Sequence, residues 1–103
     1  MNIKDIIESI KNGSIRISDH ADEEIHSDNL TFEEVFVSVL GGEVIEKYLE
    51  DSPYPSCLIY GGNFKNEPIH SVWSYNKSKG ASVLITVYRP DPKKWVEWKR
   101  RKK

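Results

Sequence analysis

The segment from Pro68 to Trp95 constrains the fold most strongly, because its pattern is that of a β-hairpin. In its first arm, one set of residues alternates with a second set, so a strand would place the two sets on opposite faces. The first set is Ile69, Ser71, Trp73 and Tyr75, and the second is His70, Val72 and Ser74. The polar stretch from Asn76 to Gly80 predicts the turn, with a glycine able to take positive φ. The second arm, Ala81 to Tyr88, is rich in β-branched residues, which favour strands. Pro90 and Pro92 then end the strand, because neither residue can donate a hydrogen bond to a strand ladder.

The first forty residues predict three helices. Isoleucines at helical spacing from Asn2 to Lys11 indicate an amphipathic helix, and Asn12-Gly13 ends it. Ser14 to Ile17 is short and alternating, and we interpret it as an extended lead-in. Ser18 or Asp19 caps a second helix that runs to about His26. The third helix runs from about Phe32 to Leu40, begins with a capping box and ends at a glycine pair (Thr31, Glu34, Gly41 and Gly42).

The remaining segments predict two further strands and one further helix. Glu43 to Leu49 and Ser56 to Tyr60 are strands, separated by a proline-rich acidic turn. After the hairpin, Asp91 can cap a last helix with Pro92 at its first position, extending to about Arg101 with Trp95 and Trp98 on its packing side. Helices followed by strands indicate an α+β fold, with the helices on one face of a four-stranded antiparallel meander.

Length and composition are those of one globular domain spanning residues 1–103. The chain is 38% hydrophobic and 11% aromatic, which is too apolar for disorder. The N-terminal stretch lacks an apolar signal-peptide core and no stretch resembles a membrane span, so the expected compartment is the cytoplasm. The lone Cys57 lies in an apolar run, and we expect a small buried hydrophobe rather than a nucleophile.

A net charge of −1 conceals a strong asymmetry. The last eleven residues, Lys93 to Lys103, contain seven bases and one acid, whereas Asp19 to Asp51 contain eleven acids and one base. The cationic end, with Lys93 and Lys94 beside the hairpin and a basic tail at residues 99–103, suggests a polyanion partner. It could equally be a solubilising terminus. We expect the acidic block on the far, helical side of the sheet.

Four short motifs of the chain resemble those of a known protein family. Ser18-x-His20-Ala21, Gly42-Glu43-Val44-Ile45-Glu46-x-Tyr48, Pro68-Ile69-His70-x-Val72 and Thr86-Val87-Tyr88-x-Pro90-Asp91-Pro92-x-x-Trp95 resemble the domain of unknown function 4258 over roughly residues 15 to 95. That family looks allied to the RelE-like superfamily of toxins, which includes the MqsR-type messenger-RNA interferases. The resemblance implies a RelE-like fold, an RNA substrate and a cognate antitoxin as partner.

Cleavage of RNA by attack of its 2′-hydroxyl needs proton-transfer groups and cationic donors at the phosphate. Histidine can serve as base or acid near neutral pH, so His20 and His70 are the candidate pair. Arg89 could hold the scissile phosphate, and Tyr88 could stack a base or donate from its hydroxyl. Thr86 shares the face of Tyr88, and Arg16 is a second candidate phosphate ligand. These roles require the two imidazoles to meet beside Arg89 in a solvent-open cleft.

Both histidines also have a purely structural interpretation. His70 could be a strand residue hydrogen-bonded to a backbone group, and His20 a helix-terminus residue packed on the sheet. Three scattered histidines and one cysteine give no zinc-ligand spacing, and no glycine-rich phosphate loop precedes a helix, so we expect neither metal nor cofactor. The favoured function is a metal-independent endoribonuclease; the alternative is a non-catalytic RNA- or protein-binding module.

Overall fold

The computed structural model describes residues 1–103 and shows an α+β domain of three helices and a five-stranded mixed sheet. The helices begin at polar caps, because Asn2, Ser18 and Thr31 each accept a hydrogen bond from an amide of the first turn. The predicted capping box of Thr31 and Glu34 is confirmed. The helices are α1 (Ile3–Lys11), α2 (Asp19–Ser27) and α3 (Phe32–Leu40).

The main sheet has the strand order β1-β5-β4-β3-β2. Strands β2 to β5 pair antiparallel in chain order, and β1 adds to the outer edge of β5 in parallel. The prediction of a four-stranded antiparallel sheet is therefore wrong. Ile15 to Ile17, which belong to the segment interpreted as an extended lead-in, form a fifth strand that pairs with Ser82 to Leu84. The strands are β1 (Ile15–Ile17), β2 (Glu43–Tyr48), β3 (Ser56–Gly62), β4 (Pro68–Asn76) and β5 (Ala81–Tyr88).

The predicted C-terminal helix is also wrong. Asp91 does accept hydrogen bonds from the amides of Lys93 and Lys94, but only one turn forms. The chain then makes a two-stranded hairpin of β6 (Trp95–Val96) and β7 (Arg100–Arg101). Its turn holds Glu97 and Trp98 at φ of 54° and 65°, as a tight hairpin turn requires. Tertiary contacts of Trp95 with the sheet outweigh the local helix signal here.

The two faces of the sheet are covered differently. One face packs against the helices in a core of twelve buried residues that includes Ile69 and Trp73 of β4. Cys57 belongs to this core, and burial raises its pKa to about 11, which agrees with its interpretation as a small hydrophobe. By strand alternation, His70 lies on the opposite face, where the β6–β7 hairpin covers it. Each of the three helices has nine residues, which is too short to span a membrane.

Candidate active site at the end of strand β5

The end of β5 has an outer edge that no strand occupies. Strand β1 pairs with β5 only as far as Leu84, and helix α2 lies beyond it. Side chains of α2 take over the hydrogen bonding there: the amide of Val87 donates to Glu24 Oε1 (3.1 Å) and the amide of Arg89 donates to Asp28 Oδ2 (3.0 Å). Two carboxylates one helical turn apart thus replace the carbonyls of a missing strand.

Glu24 also connects His20 to β5. Its Oε1 accepts a hydrogen bond from the Thr86 hydroxyl and lies 3.2 Å from Nε2 of His20. His20 sits in the first turn of α2, where Ser18 caps the helix and also donates to the carbonyl of Ile85. The His20 side chain is 66% exposed, so it is not packed on the sheet and is open to a substrate.

His70 lies on the neighbouring strand and is completely buried. Its Nε2 is 2.6 Å from the carbonyl oxygen of Trp98, and its Nδ1 is 3.1 Å from the hydroxyl of Tyr88. Because a carbonyl only accepts, Nε2 carries the proton, and in the neutral ring Nδ1 accepts from Tyr88. Burial lowers the pKa of His70, although the hydrogen bond to Trp98 and the charge of Glu46 oppose this, so the ring is neutral near pH 7. Aromatic rings enclose it edge-on (Tyr60, Tyr88 and Trp95, with centroids 4.5 to 5.9 Å from that of His70).

Tyr88 joins this buried histidine to a surface pocket. Since its hydroxyl proton points to His70, its oxygen keeps lone pairs that can accept from a ligand. Burial raises the pKa of Tyr88, so the phenol is protonated at neutral pH. The pocket beside it is lined by one acid and three cations as well as two aromatic rings (Asp91; Arg89, Lys94 and Arg101; Tyr88 and Trp95).

Arg101 is fixed in place by the second β-strand. Its guanidinium makes two hydrogen bonds to Glu46 (2.8 and 3.1 Å) and lies 4.8 Å from the centroid of the Trp95 ring. These bonds lower the pKa of Glu46. The Arg101 side chain is still 63% exposed, so it can contact a phosphate in the pocket.

Arg89 lies between that pocket and a second one on the side of helix α3. Its Nε donates to the carbonyl of Asp28 (3.0 Å) and one terminal nitrogen donates to the carbonyl of Asn29 (3.3 Å). The other terminal nitrogen makes no hydrogen bond. Glu34 and Glu67 each lie 3.8 Å from the guanidinium.

The other predicted phosphate ligands are spread out. Lys94 lines the pocket with Tyr88, and Lys93 is exposed next to it. Arg16 is exposed on β1 and lines surface pockets with Tyr54 that do not include Tyr88.

The predicted meeting of His20, His70 and Arg89 in one open cleft is wrong as stated, because His70 is buried and no hydrogen bond or ion pair joins it to His20. The two histidines are instead linked indirectly. Thr86 and Tyr88 lie two residues apart on one face of β5, and they contact Glu24 and His70 respectively. His20, Glu24 and Thr86 form one hydrogen-bonded group and Tyr88 and His70 form another, and the two groups lie side by side at the end of β5; together we call them the β5 band.

Acidic residues enter this region, contrary to the expectation that the acidic block lies away from the hairpin. Glu24, Asp28, Glu34 and Glu46 all contact residues at the end of β5 or in the C-terminal hairpin. Sequence reasoning missed Glu24 although it stands four residues after His20, a spacing that brings helical side chains together. It missed Arg101 because a hairpin was not expected there. No group of three or more potential ligands is placed to hold a metal ion.

Comparison with known families identifies the chain. The profile described as "Domain of unknown function (DUF4258)" matches residues 17–89. The chain belongs to the DUF4258 family. No curated protein and no solved structure matches it. The DUF4258 match contains the whole β5 band, whereas Lys94 and Arg101 of the pocket lie beyond its end. The DUF4258 region thus contains His20, His70 and Tyr88, whereas Lys94 and Arg101 belong to the segment that follows it.

Proposed function

We propose that this DUF4258 protein is a metal-independent endoribonuclease that binds single-stranded RNA across the β5 band. The observation that carries the proposal is the band itself: an exposed His20 on Glu24 and a partly exposed Tyr88 on His70 lie at the same end of one strand, beside a cationic pocket. Two proton-transfer groups next to phosphate donors are what 2′-hydroxyl attack requires.

The reaction would be a transesterification within the RNA. The 2′-oxygen forms a bond to phosphorus while the bond from phosphorus to the 5′-oxygen breaks, leaving a 2′,3′-cyclic phosphate and a free 5′-hydroxyl. Tyr88 accepts the 2′-hydroxyl proton as it passes its own proton to Nδ1 of His70, whose Nε2–H stays bonded to the Trp98 carbonyl. His20, in its protonated form, gives a proton to the leaving oxygen.

The cations of the pocket would stabilise the phosphorane-like transition state. Lys94 has no ion-pair partner, and Arg101 is held by Glu46 in a fixed orientation. Arg89 is committed to the α2–α3 loop through the carbonyls of Asp28 and Asn29, so we assign it to orienting the strand end and the neighbouring nucleotide. Preorganised donors of this kind act where charge develops.

The proposal is tested by comparing variants that leave the fold intact. With an oligoribonucleotide in EDTA, we expect His20→Ala and Tyr88→Phe to reduce the cleavage rate about a hundredfold each, as loss of a general acid or base does. His26→Ala is the matched control, because His26 is also exposed on α2 and lies 3.7 Å from an acid four residues before it. Equal rates in His20→Ala, His26→Ala and wild type would overturn the assignment.

The RelE-like fold, the toxin role and a cytoplasmic antitoxin partner form part of the same proposal. They rest on the resemblance of this family to RelE-like toxins, and an exposed cationic end that RNA could occupy agrees with them. Expression in a host should arrest growth, and co-expression of the neighbouring reading frame should relieve the arrest. A host that grows normally with the wild-type protein would argue against a toxin.

One observation favours a non-catalytic RNA- or protein-binding module instead. Five exposed cations of the C-terminal segment have no ion-pair partner (Lys93, Lys94, Arg100, Lys102 and Lys103). They would bind phosphates in RNA without any chemistry. Salt-dependent RNA binding without cleavage at high protein concentration would select this alternative.

A further inference from the structure

A second pocket, of about 380 Å³, lies on the α3 side of Arg89 and opens next to the pocket of Tyr88. Its wall is the loop between β3 and β4, which Asn63 organises. The Asn63 side-chain oxygen accepts from the amides of Lys65 and Glu67 (2.9 Å each). Its amide nitrogen donates to both Glu34 and Glu67 (2.8 Å each). The loop is therefore fixed in shape.

The polar groups in this pocket form a mixed donor and acceptor set. Hydrogen bonds from Asn63 and Thr31 lower the pKa of Glu34, so it is ionised at neutral pH. Glu67 is half exposed, and only its Oε1 is occupied. Arg89 presents a terminal nitrogen that makes no hydrogen bond and lies 3.8 Å from Glu67 Oε1, while its other terminal nitrogen lies 3.8 Å from Glu34 Oε2. A ligand here would meet carboxylate acceptors beside a guanidinium donor.

An aromatic ring stands in the same wall. Phe64 is 71% exposed, more than any other large hydrophobic side chain of the protein, and it lies at the tip of the rigid loop. The exposed ring is available for a ligand in the pocket to stack on, and the ordered loop fixes its position. A flat ring beside hydrogen-bonding groups is the arrangement with which proteins hold an unstacked nucleobase.

We infer that this pocket binds an unpaired guanine of the RNA substrate, stacked on Phe64. Guanine alone among the four bases presents two adjacent donors, N1–H and the N2 amino group, next to an acceptor, O6. The donors match the Glu67 carboxylate and O6 matches the free nitrogen of Arg89, whereas adenine and cytosine would place a ring-nitrogen lone pair against the carboxylate. The inference rests on the proposed function for its substrate, and it adds the specificity-determining residues Glu67, Arg89 and Phe64.

Nucleotide binding tests this without requiring cleavage. We expect calorimetric titration of the full chain to show guanosine 3′-monophosphate binding at least tenfold more tightly than the adenosine, cytidine and uridine nucleotides. Glu67→Gln should remove about tenfold of that affinity, whereas Glu33→Gln, an exposed acid of α3 outside the pocket, should not. Phe64→Leu should weaken binding about tenfold, and Phe64→Tyr, which keeps the ring, should not.

The possible results separate this inference from the nuclease proposal. Guanine-selective binding that depends on Glu67, in a protein that cleaves no RNA, would support the pocket and overturn the nuclease. RNA cleavage together with equal binding of the four nucleotides would overturn the guanine pocket alone. Selective binding that Glu67→Gln and Phe64→Leu leave unchanged would also overturn it, because the base would then lie elsewhere.

Discussion

Nε2 of His70 lies 2.6 Å from the carbonyl oxygen of Trp98, so a strand in the centre of the sheet holds the C-terminal hairpin by one hydrogen bond. The same ring packs edge-on against Trp95 at the start of that hairpin. His70 is thus a structural residue as well as a partner of Tyr88. The structural interpretation of His70 as a strand residue bonded to a backbone group describes this contact.

His70→Ala should therefore act first on stability. Loss of a fully buried ring and of two hydrogen bonds should lower the free energy of unfolding by about 3 kcal/mol. Hydrogen exchange should show the amides of residues 95–101 losing protection. Urea unfolding measures the first effect. A change below 1 kcal/mol with a protected hairpin would show that the ring is not needed to hold the hairpin, and His70→Ala could then be used as a direct test of catalysis.

Stability should depend on pH through the same ring. The folded pKa of His70 is lowered from its ordinary value of 6.5, so its contribution is present above pH 6.5 and is lost as the pH falls, because the unfolded chain binds the proton more readily. One such group gives a slope of at most about 1.4 kcal/mol per pH unit. Thermal unfolding between pH 7.5 and 5 should show falling stability, and His70→Gln should flatten the curve. An unchanged slope in His70→Gln would refute this origin.

A second decrease is expected in the acid range. The pKa values of Glu34 and Glu46 are lowered in the folded protein, mainly by Asn63 and Arg101 respectively. Their stabilising contributions are present above pH 4.5 and disappear as the pH falls through the folded values. The free energy of unfolding should fall less between pH 5 and 3 in Glu34→Gln and in Glu46→Gln than in wild type. An equal fall would speak against the Asn63–Glu34 hydrogen bond and the Arg101–Glu46 ion pair.

Glu24 should stabilise the fold independently of any activity. Replacing it with alanine leaves the buried edge amide of Val87 and the Thr86 hydroxyl without their acceptor, which costs about 2 kcal/mol. Glu23→Ala is the matched control, since Glu23 is exposed on the same helix. Denaturant unfolding of the two variants provides the comparison. Equal stability would show that water replaces the carboxylate at no cost.

The contact of β3 with α3 gives a steric prediction. A Cβ at Gly61 would lie 1.8 Å from the carbonyl oxygen of Ser38, whereas one at Gly41 would meet nothing within 4 Å. Gly61→Ala must push strand and helix apart and should cost about 3 kcal/mol, while Gly41→Ala should change stability by less than about 0.5 kcal/mol. Thermal unfolding compares the two variants, and similar midpoint temperatures would mean that α3 does not pack against β3 as described.

The sequence predicts those parts of the fold that local chemistry determines. Helix starts follow from the side chains of Ser18 and Thr31, and the β4–β5 hairpin follows from strand alternation and a glycine turn. The pairing of β1 with β5 could not be read in this way, because three residues carry little pattern and the partner is distant in the chain. The C-terminal hairpin was missed because Glu97 and Trp98 are poor candidates for positive φ.

The site was predictable only in part, for a similar reason. Thr86 and Tyr88 share a face by strand period, and Tyr88 was expected near the His70 arm, which the register of β4 with β5 confirms. The burial of His70 depends on a hairpin 25 residues later, and the Asn63 contacts join a loop to a helix. Such long-range contacts leave no periodic signal in the sequence.

The chemistry of the cleaved ends shows whether the 2′-hydroxyl of the RNA is the nucleophile. An oligoribonucleotide and a matched strand with single 2′-deoxy substitutions are incubated with the protein in EDTA, and the products are identified by mass spectrometry. We expect 2′,3′-cyclic phosphate and 5′-hydroxyl ends, with no cleavage at the deoxy positions. Cleavage at the deoxy positions, a requirement for Mg²⁺, or intact RNA at high protein concentration would contradict it.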